Sequence, residues 1–238
     1  NIKYSFTANY EADVFNRLEE LLNNRAIDEN WLIGLVIAYV ILIIAGAIGN
    51  GLVCIAVARK PAMRTERNML ILNLAISDLF LCFFTIPFSL VEIAVRFWPL
   101  GVITCKLVAG LEATSIFVST ISITAIALDR YKVILYPNKQ TCSPSQMLFK
   151  LISIWATALI LSSPLLLFRH LKHLEFPNIP QLKYVDYCIE MWPMKHGRGY
   201  YSVFVMIFQY FFPIIILSVA YARVCQKIKS RVARRKKM

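Results

Sequence analysis

The sequence predicts an all-α membrane protein, a bundle of five membrane-spanning helices. Hydrophobic residues make up 58% of the 238 residues, only 17% are charged, and the mean hydropathy is +0.59. A soluble domain of this length needs a more polar surface. Five apolar runs each exceed about 17 residues, the length at which a helix can cross a hydrocarbon core of about 30 Å.

These five runs are almost free of charge. Two of them contain one acidic residue each, Asp78 and Glu112, and the other three contain none. Backbone groups in lipid must find their hydrogen bonds within the segment, so each run is predicted to be helical. With flanking residues included, the predicted helices are 31–58, 68–95, 102–134, 149–168 and 200–228.

The charged residues are divided unevenly between the two sides of this bundle. Successive spans alternate sides, and segments 59–67, 129–150 and 223–238 on one side hold most of the 26 Lys and Arg residues. The positive-inside rule therefore predicts an extracellular N-terminal segment, 1–30, and places the start of the third cytoplasmic loop at 226–238. The net charge of +12 then reflects basic residues that orient the protein in the membrane, with attraction to anionic lipid as a contribution. Nucleic-acid binding is not expected.

Two of the six cysteines are predicted to lie on the oxidising, extracellular side. Cys105 is at the outer end of the third span, and Cys188 is in the long loop after the fourth. We expect a disulfide between them, which would fix the loop to the third helix. Around Cys188, residues 184–190 mix β-branched and aromatic residues with acids on alternate positions, a pattern that predicts a short hairpin over the mouth of the bundle.

A charged triplet, Asp129-Arg130-Tyr131, follows the third span. It lies about 36 Å of helix away from Cys105, and therefore at the cytoplasmic boundary. Such a triplet is a poor packing element at this depth. We interpret it as a latch, in which Asp129 holds Arg130 until a conformational change releases it.

Polar residues inside the spans predict an ion or water site. Asp78 lies in mid-span, where a carboxylate is costly and usually functional. Asn50, Ser115 and Ser119 offer further oxygen atoms, the ligands that a hard cation such as Na⁺ prefers. The alternative is a protonated Asp78 that is hydrogen-bonded within the bundle.

Acidic residues near the outer ends of the spans predict a ligand site. Glu112 is deep enough to line a cavity and shallow enough for a ligand to reach, and a buried acid there favours a cationic partner. The alternative is a neutral acid bonded to a neighbouring helix. The predicted ligand-binding residues are Glu112, Ser115, Glu92, Asp186 and Glu190.

No motif in the sequence points to catalysis. It contains no nucleophile–base set and no phosphate loop, and the His170–His173 pair lies on a loop beside basic residues. We therefore predict a protein that is not an enzyme and has no metal or organic cofactor beyond the Na⁺. A five-span transporter or channel would show inverted repeats or glycine-broken spans, and the sequence has neither.

Together these residues resemble a rhodopsin-like (class A) G-protein-coupled receptor. The matching residues, in chain order, are Gly49-Asn50, the stretch from Asn73 to Asp78, Trp98, Cys105, Asp129-Arg130-Tyr131, Trp155, Cys188, Pro213 and Tyr221. Closer similarity is to the neuropeptide Y receptors, and best to the invertebrate neuropeptide F receptors. That similarity is carried by residues 126–131, 163–165, 187–193 and 197–202.

The resemblance implies a bundle with five of seven helices present, the sixth and seventh falling beyond Met238. It also implies a plasma-membrane receptor for an amidated peptide that ends in an Arg-aromatic pair, signalling through an inhibitory-class heterotrimeric G protein. Glu112 stands at a ligand-facing position where vertebrate relatives usually carry Gln, and an acid there could pair with a ligand Arg. Arg130 would meet the G protein, with Pro213 and Tyr221 part of the switch.

Two alternatives remain open at this point. A biogenic-amine receptor would use Glu112 as the counter-ion of an ammonium group, although such receptors usually carry Asp there and several serines in the outer half of the fifth span. This chain has only Ser202 in that half. The second alternative is a non-signalling truncated subunit that forms a dimer with a full-length receptor.

Overall fold

The computed structural model describes residues 22–63, 65–135, 143–175 and 184–237, and residues 1–21 of the predicted N-terminal segment lie outside it. Within these ranges, five apolar helices are long enough to cross a membrane. They are α1 (Glu29–Arg59), α2 (Glu66–Ala94), α3 (Gly101–Leu135), α4 (Pro144–Phe168) and α5, formed by Gly197–Met206, Ile207–Phe211 and Phe212–Lys237. Two strands, β1 (Arg169–Glu175) and β2 (Tyr184–Glu190), connect α4 to α5. The predicted partial helix bundle is confirmed.

Large apolar side chains cover the outside of the bundle. On α1, for example, Ile33, Ile41 and Leu52 are each more than half exposed. Soluble proteins rarely expose apolar patches this extensive, whereas hydrocarbon tails solvate them well. The exposed surface of these helices is therefore suited to lipid.

Helix α3 forms the centre of the bundle and packs against α2, α4 and α5, while α1 packs on α2. Phe117 and Val118 of α3 are fully buried, and Leu70 of α2 and Ile154 of α4 pack in the same core cluster. A side chain on α3 can therefore reach three other helices.

Hydrogen bonds between buried polar side chains connect the three inner helices. Asn73 of α2 donates from Nδ2 to Oγ of Ser122 on α3 (2.9 Å), and its Oδ1 accepts from Nε1 of Trp155 on α4 (2.8 Å). The hydroxyls of Thr114 and Ser162 form a second α3–α4 contact at 2.6 Å. Polar groups at this depth have few other partners, so these bonds fix how each helix is rotated against its neighbours.

Two prolines coincide with interruptions of the α-helical hydrogen bonding. Pro87 and Pro213 each follow a five-residue π-helical turn, Leu81–Thr85 in α2 and Ile207–Phe211 in α5. Proline has no N–H and its ring clashes with the carbonyl four residues earlier, and a wider turn relieves that crowding. Pro87 and Pro213 therefore lie where the helical repeat changes.

The proline of α4 is accommodated by a side chain instead. Pro164 cannot donate to the carbonyl of Ile160, four residues earlier. The hydroxyl of Ser163 donates to that carbonyl at 2.8 Å. Helix α4 therefore continues to Phe168 without leaving the freed carbonyl unpaired in lipid.

Gly110 lies at the close approach of α3 and α4, and this position generates a stability prediction. A Cβ atom on Gly110 would lie 2.2 Å from Cδ2 of Leu166. Forcing an extra methyl group into a packed core typically costs about 1–3 kcal/mol. We therefore expect Gly110→Ala to lower the melting temperature in detergent micelles, measured by circular dichroism.

Gly34→Ala is the matched control, because a Cβ on Gly34 of α1 meets no atom within 4 Å. Alanine is also the better helix former, by roughly 1 kcal/mol. This variant should melt at or slightly above the wild-type temperature. Equal melting temperatures for the two variants would contradict the close approach of α3 and α4.

Candidate functional site

A hairpin lies against the outer end of α3, to which a disulfide joins it. β1 and β2 pair antiparallel, from Arg169 opposite Glu190 to Glu175 opposite Tyr184. Cys188 of β2 is bonded to the fully buried Cys105 of α3, with 5.6 Å between their Cα atoms. The predicted disulfide and the predicted hairpin are both confirmed.

The segment between α2 and α3 holds the same hairpin. The backbone N–H of Trp98 donates to the carbonyl of Asp186 at 2.7 Å, and the ring of Phe97 packs edge-on against Tyr187. Trp98 is buried, and its Nε1 donates to the carbonyl of Gly101 at 2.9 Å. Gly101 has φ +80°, a conformation that glycine adopts without strain. The hairpin is therefore held by both covalent and non-covalent contacts.

An arginine at the start of β1 lies among the acidic residues at the mouth of the bundle. Nη1 of Arg169 lies 2.8 Å from Oε1 of Glu92 on α2, and Nη2 lies 3.9 Å from Oε1 of Glu190 on β2. Glu112 of α3 is close enough to interact electrostatically with both Glu92 and Arg169. We call Glu92, Glu112, Glu190 and Arg169 the acid cluster. Its excess of negative charge favours a cationic ligand group.

Two of the predicted ligand residues lie outside the acid cluster. The carboxylate of Asp186 pairs with Nδ1 of His173 across the hairpin. Ser115 is buried at the α2–α3 contact, where its carbonyl accepts a hydrogen bond from Ser77 Oγ at 3.4 Å. Direct contact of Asp186 or Ser115 with a ligand remains a prediction.

A cavity of about 390 Å³ lies between α4 and the outer half of α5. Its lining residues are Leu165, Glu190, Arg198, Tyr201, Ser202, Val205, Met206 and Tyr210. Glu190 belongs to both the cavity and the acid cluster, so the charged and apolar parts of the mouth are continuous. Most of these positions were missed from the sequence, because apolar residues in a span look the same whether they face a cavity or lipid.

Aromatic rings connect the hairpin side of the mouth to the centre of α3. The ring of Trp192 is 5.4 Å from Tyr201, and contacts continue through Phe204 to Phe208 of α5. Phe208 in turn lies 5.7 Å from the fully buried Phe117 of α3. The helical spacing of Tyr201, Phe204 and Phe208 was the signal in the sequence that could have revealed this row.

The predicted ion site is assembled in part. Oγ of Ser119 donates to Oδ1 of Asp78 at 3.1 Å. Asn50 instead donates from Nδ2 to the carbonyl of Gly46 in its own helix, at 3.1 Å. The carboxylate of Asp78 and the hydroxyl of Ser119 are the groups placed to bind Na⁺ together, so the ion site remains a prediction based on this pair.

The charged triplet lies in the penultimate turns of α3. Asp129 and Tyr131 are half-buried and Arg130 is exposed. Among the described residues, Asp129 and Arg130 form no ion pair or hydrogen bond with each other. The structure therefore does not contain the closed latch, and the latch remains a prediction.

A different arginine joins α3 to α5 at this end. Nη2 of Arg231 donates to the carbonyl of Ile134 at 3.1 Å. This carbonyl is in the last turn of α3, where carbonyls lack partners within the helix. Elsewhere on α5, Pro213 is buried and Tyr221 is 59% exposed, so Tyr221 is accessible for the switch role predicted for it.

Membrane-length helices, a hairpin bonded to the third of them and a charged triplet at its far end define a receptor class. Residues 49–238 match the family described as 7 transmembrane receptor (rhodopsin family). The chain belongs to this family. Its members are receptors and not enzymes, which confirms the prediction that the protein is not an enzyme.

Individual relatives refine this assignment. A neuropeptide F receptor of Drosophila melanogaster is 49% identical over 221 residues, 90% of this chain and 46% of the relative. A neuropeptide Y receptor type 2 of Gallus gallus is 38% identical, and one of Homo sapiens is 35% identical, each over 84% of this chain and 52% of the relative. The resemblance inferred from the sequence is confirmed, and the chain spans about half the length of the curated relatives it matches.

The disulfide generates a labelling prediction with an internal control. In the absence of reductant, a thiol alkylating reagent should leave Cys105 and Cys188 unmodified. It should modify Cys225, which is free and exposed on α5. Peptide mass spectrometry after denaturation would measure both outcomes. Alkylation of Cys105 and Cys188 to the extent seen for Cys225 would show that the loop is not covalently fixed.

Proposed function

We propose that the protein is a plasma-membrane G-protein-coupled receptor for an amidated neuropeptide of the neuropeptide F/Y type. One observation carries this proposal: the acid cluster and the cavity share Glu190, which lies on a hairpin fixed to α3 by a disulfide. A peptide with a cationic and an aromatic residue would find a charged partner and an apolar space side by side. The relatives named neuropeptide F and neuropeptide Y receptors favour the same ligand class over a biogenic amine.

Recognition would combine two kinds of contact. An arginine of the peptide pairs with Glu112, a charge-assisted interaction that burial strengthens. The neighbouring aromatic residue enters the cavity beside Tyr201, Val205 and Met206, whose side chains offer apolar and aromatic surface. The hairpin limits the routes by which a peptide can reach both positions.

Signalling would follow from a shift between two arrangements of the bundle. The peptide binds one arrangement better and increases its population. The ring contacts from Trp192 to Phe117 support transmission toward the centre of α3. At the cytoplasmic end, Asp129 releases Arg130 toward an inhibitory-class G protein, and Tyr221 stabilises the open arrangement.

The membrane itself would contribute to orientation and assembly. Basic residues on the far side of the helices favour a cytoplasmic location there, contact with anionic lipid and an extracellular N-terminus. Arg223, Lys227 and Lys229 are exposed on α5 in a position suited to lipid headgroups. A receptor dimer would form through the apolar outer faces of the helices.

The pairing of Glu112 with a ligand arginine is tested by Glu112→Gln, which removes the charge and preserves the shape. Loss of a charge-assisted contact should lower the potency of an arginine-containing amidated peptide by at least about tenfold. The measurement is G-protein activation against peptide concentration, in the full-length protein that contains this chain.

Glu175→Gln at the exposed end of β1 is the matched control, since it makes the same chemical change outside the site. It should change potency by less than about twofold, because exposed charges interact weakly. Unchanged potency in Glu112→Gln would exclude the arginine-pairing role.

The ion site is tested by comparing sodium with choline chloride at equal ionic strength. Sodium bound at Asp78 should stabilise the resting arrangement and lower agonist affinity. Asp78→Asn should abolish this sodium effect, and Ser119→Ala should weaken it. The ion site would be contradicted if the agonist affinity of the wild type were the same in sodium and in choline chloride. It would also be contradicted if sodium lowered the agonist affinity of Asp78→Asn as much as that of the wild type.

A further inference from the structure

The acid cluster contains a cation of its own, Arg169, which no motif in the sequence marks. We propose that Arg169 determines ligand specificity: it is a resident cation that leaves Glu112 as the single unpaired carboxylate of the acid cluster, available for one cationic group of the ligand. This inference rests on the proposed peptide-receptor function and specifies the charge pattern of the peptide.

The position of Arg169 is fixed by its surroundings. It begins β1 directly after α4 ends, and only 15% of its side chain is exposed. Nη1 contacts Glu92 at 2.8 Å and lies 3.6 Å from Sγ of Cys188, in the disulfide. A planar guanidinium held at this low exposure interacts with its neighbours more strongly than a solvated surface cation does.

The three carboxylates differ in how well they are paired. Glu92 pairs with Arg169. Glu190 accepts a hydrogen bond from Nε1 of Trp192 at 3.0 Å and lies 3.5 Å from Nε of Arg198, with the more distant Arg169 as a third partner. Glu112 forms no hydrogen bond or ion pair with any residue that the structure describes. One carboxylate is therefore left for a ligand.

This pairing predicts that the site attracts one cationic group of the ligand and disfavours a second cationic group next to it. A single guanidinium or ammonium group can pair with Glu112 without disturbing Arg169. A second cation next to the first would approach Arg169, and like charges at low exposure repel each other. Arg169 would thus favour a ligand with one cation at this position over a ligand with two adjacent cations.

Three amidated synthetic peptides of equal length test this limit: one with a single arginine, one with citrulline in its place, and one with two adjacent arginines. Citrulline has nearly the shape of arginine but no charge. Wild-type protein should bind the single-arginine peptide at least about tenfold more tightly than the citrulline peptide, and the two-arginine peptide no more tightly than the single-arginine one. Competition binding to the full-length protein measures all three.

Arg169→Gln should remove the limit. In this variant the affinity for the two-arginine peptide should rise at least about tenfold relative to the affinity for the single-arginine peptide. The affinity for the citrulline peptide should stay within about threefold of its wild-type value. Arg169→Lys retains the charge and should retain the wild-type ratio. Lys172→Gln removes an exposed charge from the same strand and should leave every ratio unchanged.

Glu92→Gln provides a second route if Arg169→Gln does not fold. Without Glu92, Arg169 is free to neutralise Glu112, so the preference for arginine over citrulline should fall by at least about fivefold. An unchanged ratio of two-arginine to single-arginine affinity in Arg169→Gln would overturn the inference. Equal weakening of all three peptides would overturn it too, by showing a purely structural role.

Failure of the proposed function would look different. If wild-type protein binds none of the three amidated peptides, the peptide-receptor proposal is wrong and the role of Arg169 falls with it. If wild-type protein binds the citrulline and arginine peptides equally, the peptide-receptor proposal stands. The charge-based role of Arg169 would then be wrong.

Discussion

Hydrocarbon offers no hydrogen-bond partner, and this constraint determines most of the arrangement of the bundle. Polar side chains at depth turn toward neighbouring helices, as Asn73 does toward Ser122 and Trp155. Because these contacts meet on or around α3, that helix fixes the rotation of α2 and α4. The same constraint explains the bond from Ser163 to the carbonyl that Pro164 leaves unpaired. Apolar side chains then fill the remaining space between the helices, whose rotation the polar contacts have already fixed.

In the interior, hydrogen bonds between buried polar side chains fix the helices against one another. At the outer end, a disulfide fixes the hairpin in place. The disulfide holds β2 against α3, and β1 follows from its pairing with β2. This brings Arg169, at the end of α4, within reach of Glu92 on α2. Four elements that are distant in sequence thus supply one charged cluster. The ring contacts along α5 extend from the adjoining loop toward the core, so the mouth is also connected to the interior of the bundle.

The spans, the two disulfide-bonded cysteines and the acids near the mouth could be predicted from the sequence, because long apolar runs and the few polar residues within or beside them are visible there. What could not be predicted depends on geometry between elements. Arg169 looked like any solvated charge after a span, and its partners, Glu92 on α2 and Glu190 on β2, are distant from it in sequence. Asp186 was grouped with the mouth acids, but the register of the hairpin puts it opposite His173. Asn50 is satisfied by its own helix, a bond that residue type alone does not reveal.

The two π-helical turns have a consequence for which way the two halves of a helix face. A residue added to a helix rotates everything beyond it by about 100°. The turns at Leu81–Thr85 and Ile207–Phe211 therefore divide α2 and α5 into an outer and an inner half. The side chains of one half are rotated about the helix axis relative to their positions in an uninterrupted α-helix. The outer half of α5 lines the cavity, and its inner half reaches α3 through Arg231. The outer half of α5 can therefore face the cavity while its inner half faces α3, although the backbone of the helix is continuous.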